Sequence, residues 1–207
     1  LARHFIVIDA DAVYHRLLQP GNAAHTAVLE HFDVQNDDGT INRAKLGAEV
    51  FADEHKRRLL NRITHRLVLY EMFKRVLYAW ITGERVIVLD IPLLMEGGLD
   101  KWMGCVVLVD CDPSTQLQRL LSRNPQLTRE QALQRIQSQL PLEHKRKRAD
   151  YILDNRGTVE ELEVQVDHVV SRLQQATPLW WVRLCQLPPV GVVTATLTLF
   201  YRFFFAR

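Results

Sequence analysis

Short apolar runs that end on an acid alternate along this chain with longer segments of helical periodicity. The first run, Ile6-Val7-Ile8, leads straight into Asp9-Ala10-Asp11. An apolar run without polar alternation predicts a strand buried on both faces, as in a parallel sheet. Arg85-Val86-Ile87-Val88-Leu89-Asp90 and Cys105-Val106-Val107-Leu108-Val109-Asp110 repeat the design, and Tyr151-Ile152-Leu153-Asp154 predicts a fourth strand. Helices are expected between them. Residues 11–19 read as one, stopped by Pro20-Gly21-Asn22, and 23–32 as a second. Past an Asp-Gly turn at 36–40, Asn42 caps 43–51, and Asp53 caps a long helical region reaching Trp80. Leu59, Leu60, Ile63, Leu67, Val68, Met72, Val76 and Leu77 recur there at offsets that suit one apolar face. Residues 113–123 carry Pro113 at the first helical position behind Asp112, and Thr128 with Gln131 fits a capping box. A last helix, 159–175, has a charged outer face. Strands alternating with helices predict an α/β fold with a parallel sheet.

Composition narrows the class without changing this picture. The 207 residues are 47% apolar and 24% charged, as in an ordinary globular protein, and the net charge of +2 does not suggest nucleic-acid binding. Cys105, Cys111 and Cys185 are odd in number and scattered, which argues for a reducing, intracellular compartment and against a disulfide framework. The eight histidines show no metal-ligand spacing. No signal peptide is visible, and a strand within five residues of Leu1 makes the start read as cut rather than native.

The chemistry concentrates at the strand ends. Open α/β sheets bind ligands at the C-terminal edge of their strands. Asp9, Asp90 and Asp110 are expected to line up along that edge, where a phosphorylated ligand with a divalent cation would sit. Each alone reads more readily as a helix cap than as a ligand. Asp9 and Asp11 together suit a general base or a carboxylate near a metal-bound phosphate; an Asp that caps the next helix, at Asp-Ala-Val-Tyr-His-Arg-Leu-Leu (11–18), is the competing reading. The basic segment His144-Lys145-Arg146-Lys147-Arg148 reads as a solvated helix face, as a nucleic-acid or localisation patch, or as part of a phosphate-binding lid with Arg119, Arg123, Arg129 and Arg135. Arginine suits the last role because its fork binds phosphate oxygens in pairs.

A dense series of motifs then resembles the dephospho-coenzyme A kinase family, its vertebrate members in particular. They are Val-Ile-Asp-Ala-Asp (7–11), Gln-Pro-Gly (19–21), Asp-Gly-Thr-Ile-Asn-Arg-Ala-Lys-Leu-Gly (38–47) and Asn-Arg-Ile-Thr-His (61–65). Leu-Asp-Ile-Pro-Leu-Leu-Met-Glu (89–96), Thr-Gln-Leu-Gln-Arg-Leu-Leu-Ser-Arg (115–123), Gln-Ala-Leu-Gln-Arg-Ile-Gln-Ser-Gln-Leu-Pro-Leu (131–142) and Ala-Asp-Tyr-Ile-Leu-Asp-Asn-Arg-Gly (149–157) follow in order.

The resemblance implies a P-loop kinase-like parallel sheet and transfer of the ATP γ-phosphate to the ribose 3′-hydroxyl of dephospho-CoA, with Mg²⁺ carried by the ATP. It implies a kinase-like domain over 1–176, with a helical acceptor-binding insertion at about 12–82 and a helical lid at about 124–148. Asp11 matches the family's base. Arg119, Arg123 and Arg135 match its lid arginines, and Asn155 and Gly157 its ATP-side segment. His65, Pro92, Leu93, Leu94 and Glu96 match the acceptor side, and Asp9 and Asp90 are the acids nearest the metal-bound phosphates. ATP and dephospho-CoA are thus the expected ligands.

Two departures stand out. The family's first strand and Gly-x-x-x-x-Gly-Lys-Ser/Thr loop are absent from this sequence, so ~20–30 residues of the pattern are expected to be missing at its start. Arg66 stands where the family usually has proline, which is expected to leave that helix straighter.

The tail, 177–207, falls outside the kinase pattern. Residues 190–201 are uncharged and span about 18 Å as a helix, against a bilayer core of about 30 Å. With Phe203, Phe204 and Phe205 it reads as a marginal anchor over 187–207, or as a helix packed on the domain. The expected setting is cytoplasmic or mitochondrion-associated. Against the kinase stands a non-catalytic, membrane-tethered homologue that binds CoA or nucleotide.

Overall fold

The computed structural model describes residues 2–177 together with 191, 194, 196 and 197. Its backbone divides into two compact units, one over 2–92 and one from Leu93 onward. All four expected strands form, each of four residues, and they pair two by two in parallel ladders.

In the first unit, β1 (Ile6–Asp9) pairs with β2 (Ile87–Asp90), from Ile6 opposite Ile87 to Asp9 opposite Asp90. The crossover between them is helical: α1 (Ala10–Leu17), α2 (Ala23–Leu29), α3 (Arg43–Ala52) and α4 (Glu54–Ile81). Helices α1, α2 and α3 all pack on α4. Leu18, Val28, Phe32, Val34, Leu46 and Leu60 form a core among the helices, and Ile8, Val13 and Met72 a second one under the strands. The caps sit where the side-chain chemistry places them: Asn42 Oδ1 accepts from the Lys45 N–H, and Asp53 from those of His55 and Lys56. The Asp-Gly turn carries Gly39 at φ +81°, a left-handed conformation that glycine adopts without strain. It closes an antiparallel bridge, Gln35 to Ile41, and the buried His25 shares a hydrogen with the Gly39 carbonyl at 2.8 Å. Helix α4 runs unbroken through Arg66, as its sequence predicts.

In the second unit, a 3-10 turn at Leu99–Trp102 precedes β3 (Val107–Asp110), α5 (Pro113–Arg123), α6 (Arg129–Gln137), α7 (Leu142–Arg148), β4 (Tyr151–Asp154) and α8 (Val159–Ala176). Strands β3 and β4 pair from Val107 opposite Tyr151 to Asp110 opposite Asp154. Both capping boxes close, at Thr128 with Gln131 and at Thr158 with Glu161.

The structure revises three details. Strand β3 starts two residues later than its apolar run, because the Val106 N–H is taken by the Asp150 carboxylate and its carbonyl by the Asp150 and Tyr151 N–H groups. The expected buried strands are open in places: Ile6, Val109 and Ile152 are 40, 55 and 47% exposed. A two-stranded parallel ladder has too few neighbours to cover both faces. The strand-end acids, expected as a row of three, come as two register pairs, Asp9 with Asp90 and Asp110 with Asp154.

No helix among the described residues is long and apolar enough to cross a membrane. Most of the apolar run at 187–207 lies outside the described residues.

Candidate active site

The chain turns from strand to helix within one residue at Asp9. Asp9 Oδ1 accepts the Ala12 N–H at 3.0 Å, so this carboxylate is the helix cap. The cap thus falls on Asp9, two residues before the expected helix start at 11–18, and Asp11 is released from that duty. Asp11 stands exposed in the first turn of α1, with no hydrogen bond or ion pair among the described residues. An acid there also suits the positive end of the helix. Asp90, the register partner of Asp9, is exposed and equally uncommitted among the described residues. His65 lies on α4 with its ring exposed and no partner among the described residues.

The Leu-Asp-Ile-Pro-Leu-Leu-Met-Glu motif carries the chain out of β2. Pro92 ends the first unit, and Leu93 begins the second in a left-handed conformation, φ +59°, with its side chain 53% exposed. A leucine held there costs about 1–3 kcal/mol, and such strain gathers at functional sites. The turn is fixed by the Leu93, Leu94 and Met95 carbonyls, which accept from the Gly97, Leu99 and Gly98 N–H groups at 3.0–3.1 Å. Glu96 accepts from Lys145 Nζ at 2.8 Å and from the Leu140 N–H at 3.1 Å. Burial raises its carboxyl pKa, but the Lys145 ammonium and these hydrogen bonds outweigh that and hold it below the ordinary range.

The basic helix α7 is therefore not a solvated face. Lys145 takes Glu96, Arg146 takes Asp110 at 2.7 and 2.9 Å as well as Glu143, and Arg148 takes the buried Asp100. Three cations of one helix bind four acids of their own unit, Glu143 on the helix itself and three outside it, and are committed before any phosphate arrives. The other oxygen of Asp110, Oδ1, is buried without a hydrogen-bond partner among the described residues.

The three lid arginines divide. Arg119 donates to the Asn155 carbonyl at 2.8 Å and so braces the segment after β4. Arg123, at the end of α5, and Arg135, on α6, are exposed with no side-chain partner among the described residues, and their helices pack together. Beyond Asn155, Arg156 grips Asp154 and holds its carboxyl down at about 2. Gly157 is needed by its surroundings: a Cβ there would fall 1.8 Å from Glu161 Oε2, the oxygen that caps the Thr158 N–H.

The structure thus joins Arg119 to Asn155 and Glu96 to α7, and sets Asp11 two residues past the Asp9 cap, within the first turn of α1. Sequence reasoning missed Asp154, although its strand ends on an acid like the other three. It also missed Asp100, whose partner stands 48 residues on and leaves no local signal. No group of three metal-ligating side chains occurs among the described residues. Magnesium carried by a nucleotide needs only one or two carboxylates, and the adjacent strand-end acids Asp9 and Asp90 fit that smaller set.

Comparison with known proteins gives one consistent result. The profile of the dephospho-CoA kinase family matches residues 2–161. A dephospho-CoA kinase of Halalkalibacterium halodurans is 44% identical over 168 residues, covering 80% of this chain and 83% of that protein. A dephospho-CoA kinase of Saccharomyces cerevisiae is 37% identical over 198 residues, 92% of this chain and 80% of the other. A dephospho-CoA kinase domain-containing protein of Danio rerio is 41% identical, covering 81% and 74%. Among solved structures, a Thermus thermophilus protein superposes with a TM-score of 0.65 at 28% identity, covering 84% of this chain and 87% of that one. A Campylobacter jejuni dephospho-CoA kinase gives 0.64 at 22% identity over 86% and 89%, and shares the fold.

Proposed function

The chain belongs to the dephospho-CoA kinase family, a family of ATP-dependent kinases, and we propose that Asp11 is the base through which it phosphorylates the ribose 3′-hydroxyl of dephospho-CoA. One observation carries this reading: Asp9 takes the helix cap, which leaves the Asp11 carboxylate exposed and without a partner among the described residues. Asp11 would accept the hydroxyl proton, or orient that hydroxyl, as its oxygen attacks the γ-phosphorus of ATP and ADP leaves. Arg123 and Arg135, whose guanidinium groups are uncommitted, would bind the phosphate oxygens in pairs. Arg119, Asn155 and Gly157 would shape the nucleotide side, with Arg119 acting through its bond to Asn155. His65, Pro92, Leu93 and Leu94 would receive the acceptor, while Glu96 acts as a positioning residue through Lys145. Magnesium on the ATP would neutralise phosphate charge, with Asp90 and Asp9 nearest it.

The sequence contains no Gly-x-x-x-x-Gly-Lys-Ser/Thr run. We propose that these 207 residues carry the acceptor side and the lid, and that the phosphate cradle and its strand must come from outside them. The open faces at Ile6, Val109 and Ile152 support this, since each is an apolar strand position without a cover. The odd number and scattered placement of Cys105, Cys111 and Cys185 support a reducing, intracellular setting. The apolar composition of 187–207 supports membrane contact by the tail, which carbonate extraction of a reporter carrying 178–207 would test.

The functional reading is tested with the phosphate cradle supplied. ADP release should depend on dephospho-CoA and should be absent with adenosine, nucleoside monophosphates or water as the acceptor. Equal turnover with nucleoside monophosphates would overturn it.

A further inference from the structure

The second half of α4 is apolar on two faces. On one, Val68, Met72 and Val76 join the core under β1 and β2. On the other, Leu69, Tyr70, Phe73, Leu77 and Ile81 are all exposed, Tyr70, Phe73 and Ile81 by 64, 63 and 63%. At 3.6 residues per turn, Phe73 and Leu77 lie about 100° and 140° round the helix from Met72. Cover for the strands is therefore not cover for this face. Tyr70, Phe73, Leu77 and Ile81 follow at spacings of three and four residues, the seam a helix presents to another helix. A contiguous exposed apolar patch of this kind marks an interaction surface.

Charge selects the occupant. Along the flank the charges already answer one another: Glu71 pairs with Lys74 at 3.0 Å and with Arg75 at 3.3 Å, and Lys74 Nζ sits 5.7 Å from the centre of the Tyr70 ring. At the two ends of the seam they do not. Arg66 before it and Glu84 beyond it have no hydrogen bond or ion pair among the described residues. They stand nine residues to either side of position 75. A copy of α4 laid antiparallel about that point sets Phe73 against the partner's Leu77, and Tyr70 against the partner's Ile81. It also brings Arg66 to the partner's Glu84, and the symmetry makes this pair twice. A parallel copy would oppose like charges, and an anionic bilayer would repel Glu84 and Glu71.

The area is that of a modest interface. A buried aromatic side chain covers about 150–250 Å², so the exposed parts of these five residues cover on the order of 500 Å² per copy. Two copies would bury on the order of 1,000 Å², the lower bound of a specific interface. We propose that the face Tyr70–Phe73–Leu77–Ile81 of α4 pairs with a second copy of this chain, antiparallel, in a reversible two-fold dimer closed at both ends by Arg66 and Glu84. This stands apart from the reading of Asp11, and each can fail without the other.

Sedimentation velocity on the 207-residue chain, from about 1 to 300 µM, tests this, with a Kd of about 10–100 µM expected for so small an interface. The variants are Phe73→Glu, Arg66→Glu, Glu84→Arg and the double reversal. None of these positions belongs to either core of the first unit, and far-UV circular dichroism checks that each variant is folded. Phe73→Glu places two charges at the centre of the seam and should weaken the dimer at least about 100-fold. Each single reversal turns two attractive pairs repulsive and should weaken it about 10-fold. The double reversal should restore it. A wild-type chain that stays monomeric throughout overturns the proposal. So does a dimer that Phe73→Glu leaves intact, which would place the contact elsewhere. Single reversals without rescue by the double overturn the antiparallel pairing. A monomer that floats with vesicles containing phosphatidylserine, and loses this in Phe73→Glu, gives the face to lipid and overturns the dimer. A monomer in which Phe73→Glu exposes residues 187–207 to proteolysis gives it to the chain's own tail, with the same result.

Discussion

Arg148 grips the fully buried carboxylate of Asp100 with two nitrogens, Nε at 3.0 Å and Nη2 at 2.5 Å, from the far end of α7. It also donates to the Met95 carbonyl at 3.3 Å, so one guanidinium ties the last residue of α7 to the turn that follows the Leu-Leu-Met-Glu motif. Removing one partner of such a pair leaves the other charge poorly solvated, which typically costs about 3–5 kcal/mol. Asp100→Asn keeps the shape and removes the charge. Urea unfolding should show a loss of at least about 3 kcal/mol, the lower end of that range. A loss under about 1 kcal/mol, the exposed-pair value, would mean that water reaches the pair.

The two acids at the start of α1 should separate cleanly by substitution. Asp9→Asn should leave stability nearly unchanged, because asparagine caps a helix as well as aspartate does. Asp11→Asn should leave the fold alone, since its side chain holds nothing among the described residues. In an enzyme with its phosphate cradle supplied, Asp11→Asn should lower kcat by about 10²–10⁴-fold, the usual loss for a general base, with little change in KM. Steady-state kinetics on both variants decides the roles. Equal and small effects would take the base assignment away from Asp11.

That separation also shows how far the sequence could be read. The apolar runs, the caps at Asn42, Asp53 and Asp112, and the Thr128 helix start are local features, and they form as the pattern predicts. Strand register and sheet partners are not local. The acids at the strand ends were visible, but their pairing as Asp9 with Asp90 and Asp110 with Asp154 was not. The basic run at 144–148 was equally plain, yet its meaning depends on Glu96, Asp100 and Asp110, which lie 36–49 residues away in the chain. Charge patterning along one helix cannot show which acids the fold will bring to it.

Glu96 gives this network a pH dependence with a definite sign. Its folded pKa lies below the ordinary glutamate value. A depressed acid contributes stability that is full above its unfolded pKa and is lost as pH falls through the folded one. Glu96→Gln should therefore destabilise most near pH 7, by about 1.5–3 kcal/mol for bonds to a charged group. The gap between wild type and variant should narrow below the ordinary value of 4.5. Urea midpoints measured from pH 7 down to pH 3 would trace it. A gap that widens toward acid would reverse the assignment.

The lid arginines should not behave alike. Arg123→Ala and Arg135→Ala remove side chains with no partner among the described residues, so thermal stability should hold. Both should lower kcat/KM for ATP, by about 10–100-fold if each makes a charge-assisted phosphate bond. Arg119→Ala should also loosen the segment after β4, because its guanidinium holds the Asn155 carbonyl at 2.8 Å. Amide exchange at 155–158 should rise in Arg119→Ala alone. Raised KM for dephospho-CoA, with ATP kinetics unchanged, would move Arg123 and Arg135 to the acceptor side.

The last expectation concerns the phosphate cradle. Kinases of this architecture hold the β- and γ-phosphates on backbone N–H groups and a lysine of a glycine-rich loop. These 207 residues contain no Gly-Lys pair, and their nearest glycine cluster, Gly97-Gly98, lies instead in the turn closed by the Leu93 and Met95 carbonyls. Neither Asp11 nor the lid arginines can replace that cradle, because a carboxylate repels phosphate and a lid arginine fixes only one side of it. The 207-residue chain should therefore show no dephospho-CoA kinase turnover in a coupled ADP assay. Joining a family strand and Gly-x-x-x-x-Gly-Lys-Thr loop ahead of Leu1 should create it. Turnover by the chain without the added loop would show that it holds ATP by other groups, and Arg123 and Arg135 would be the first to test.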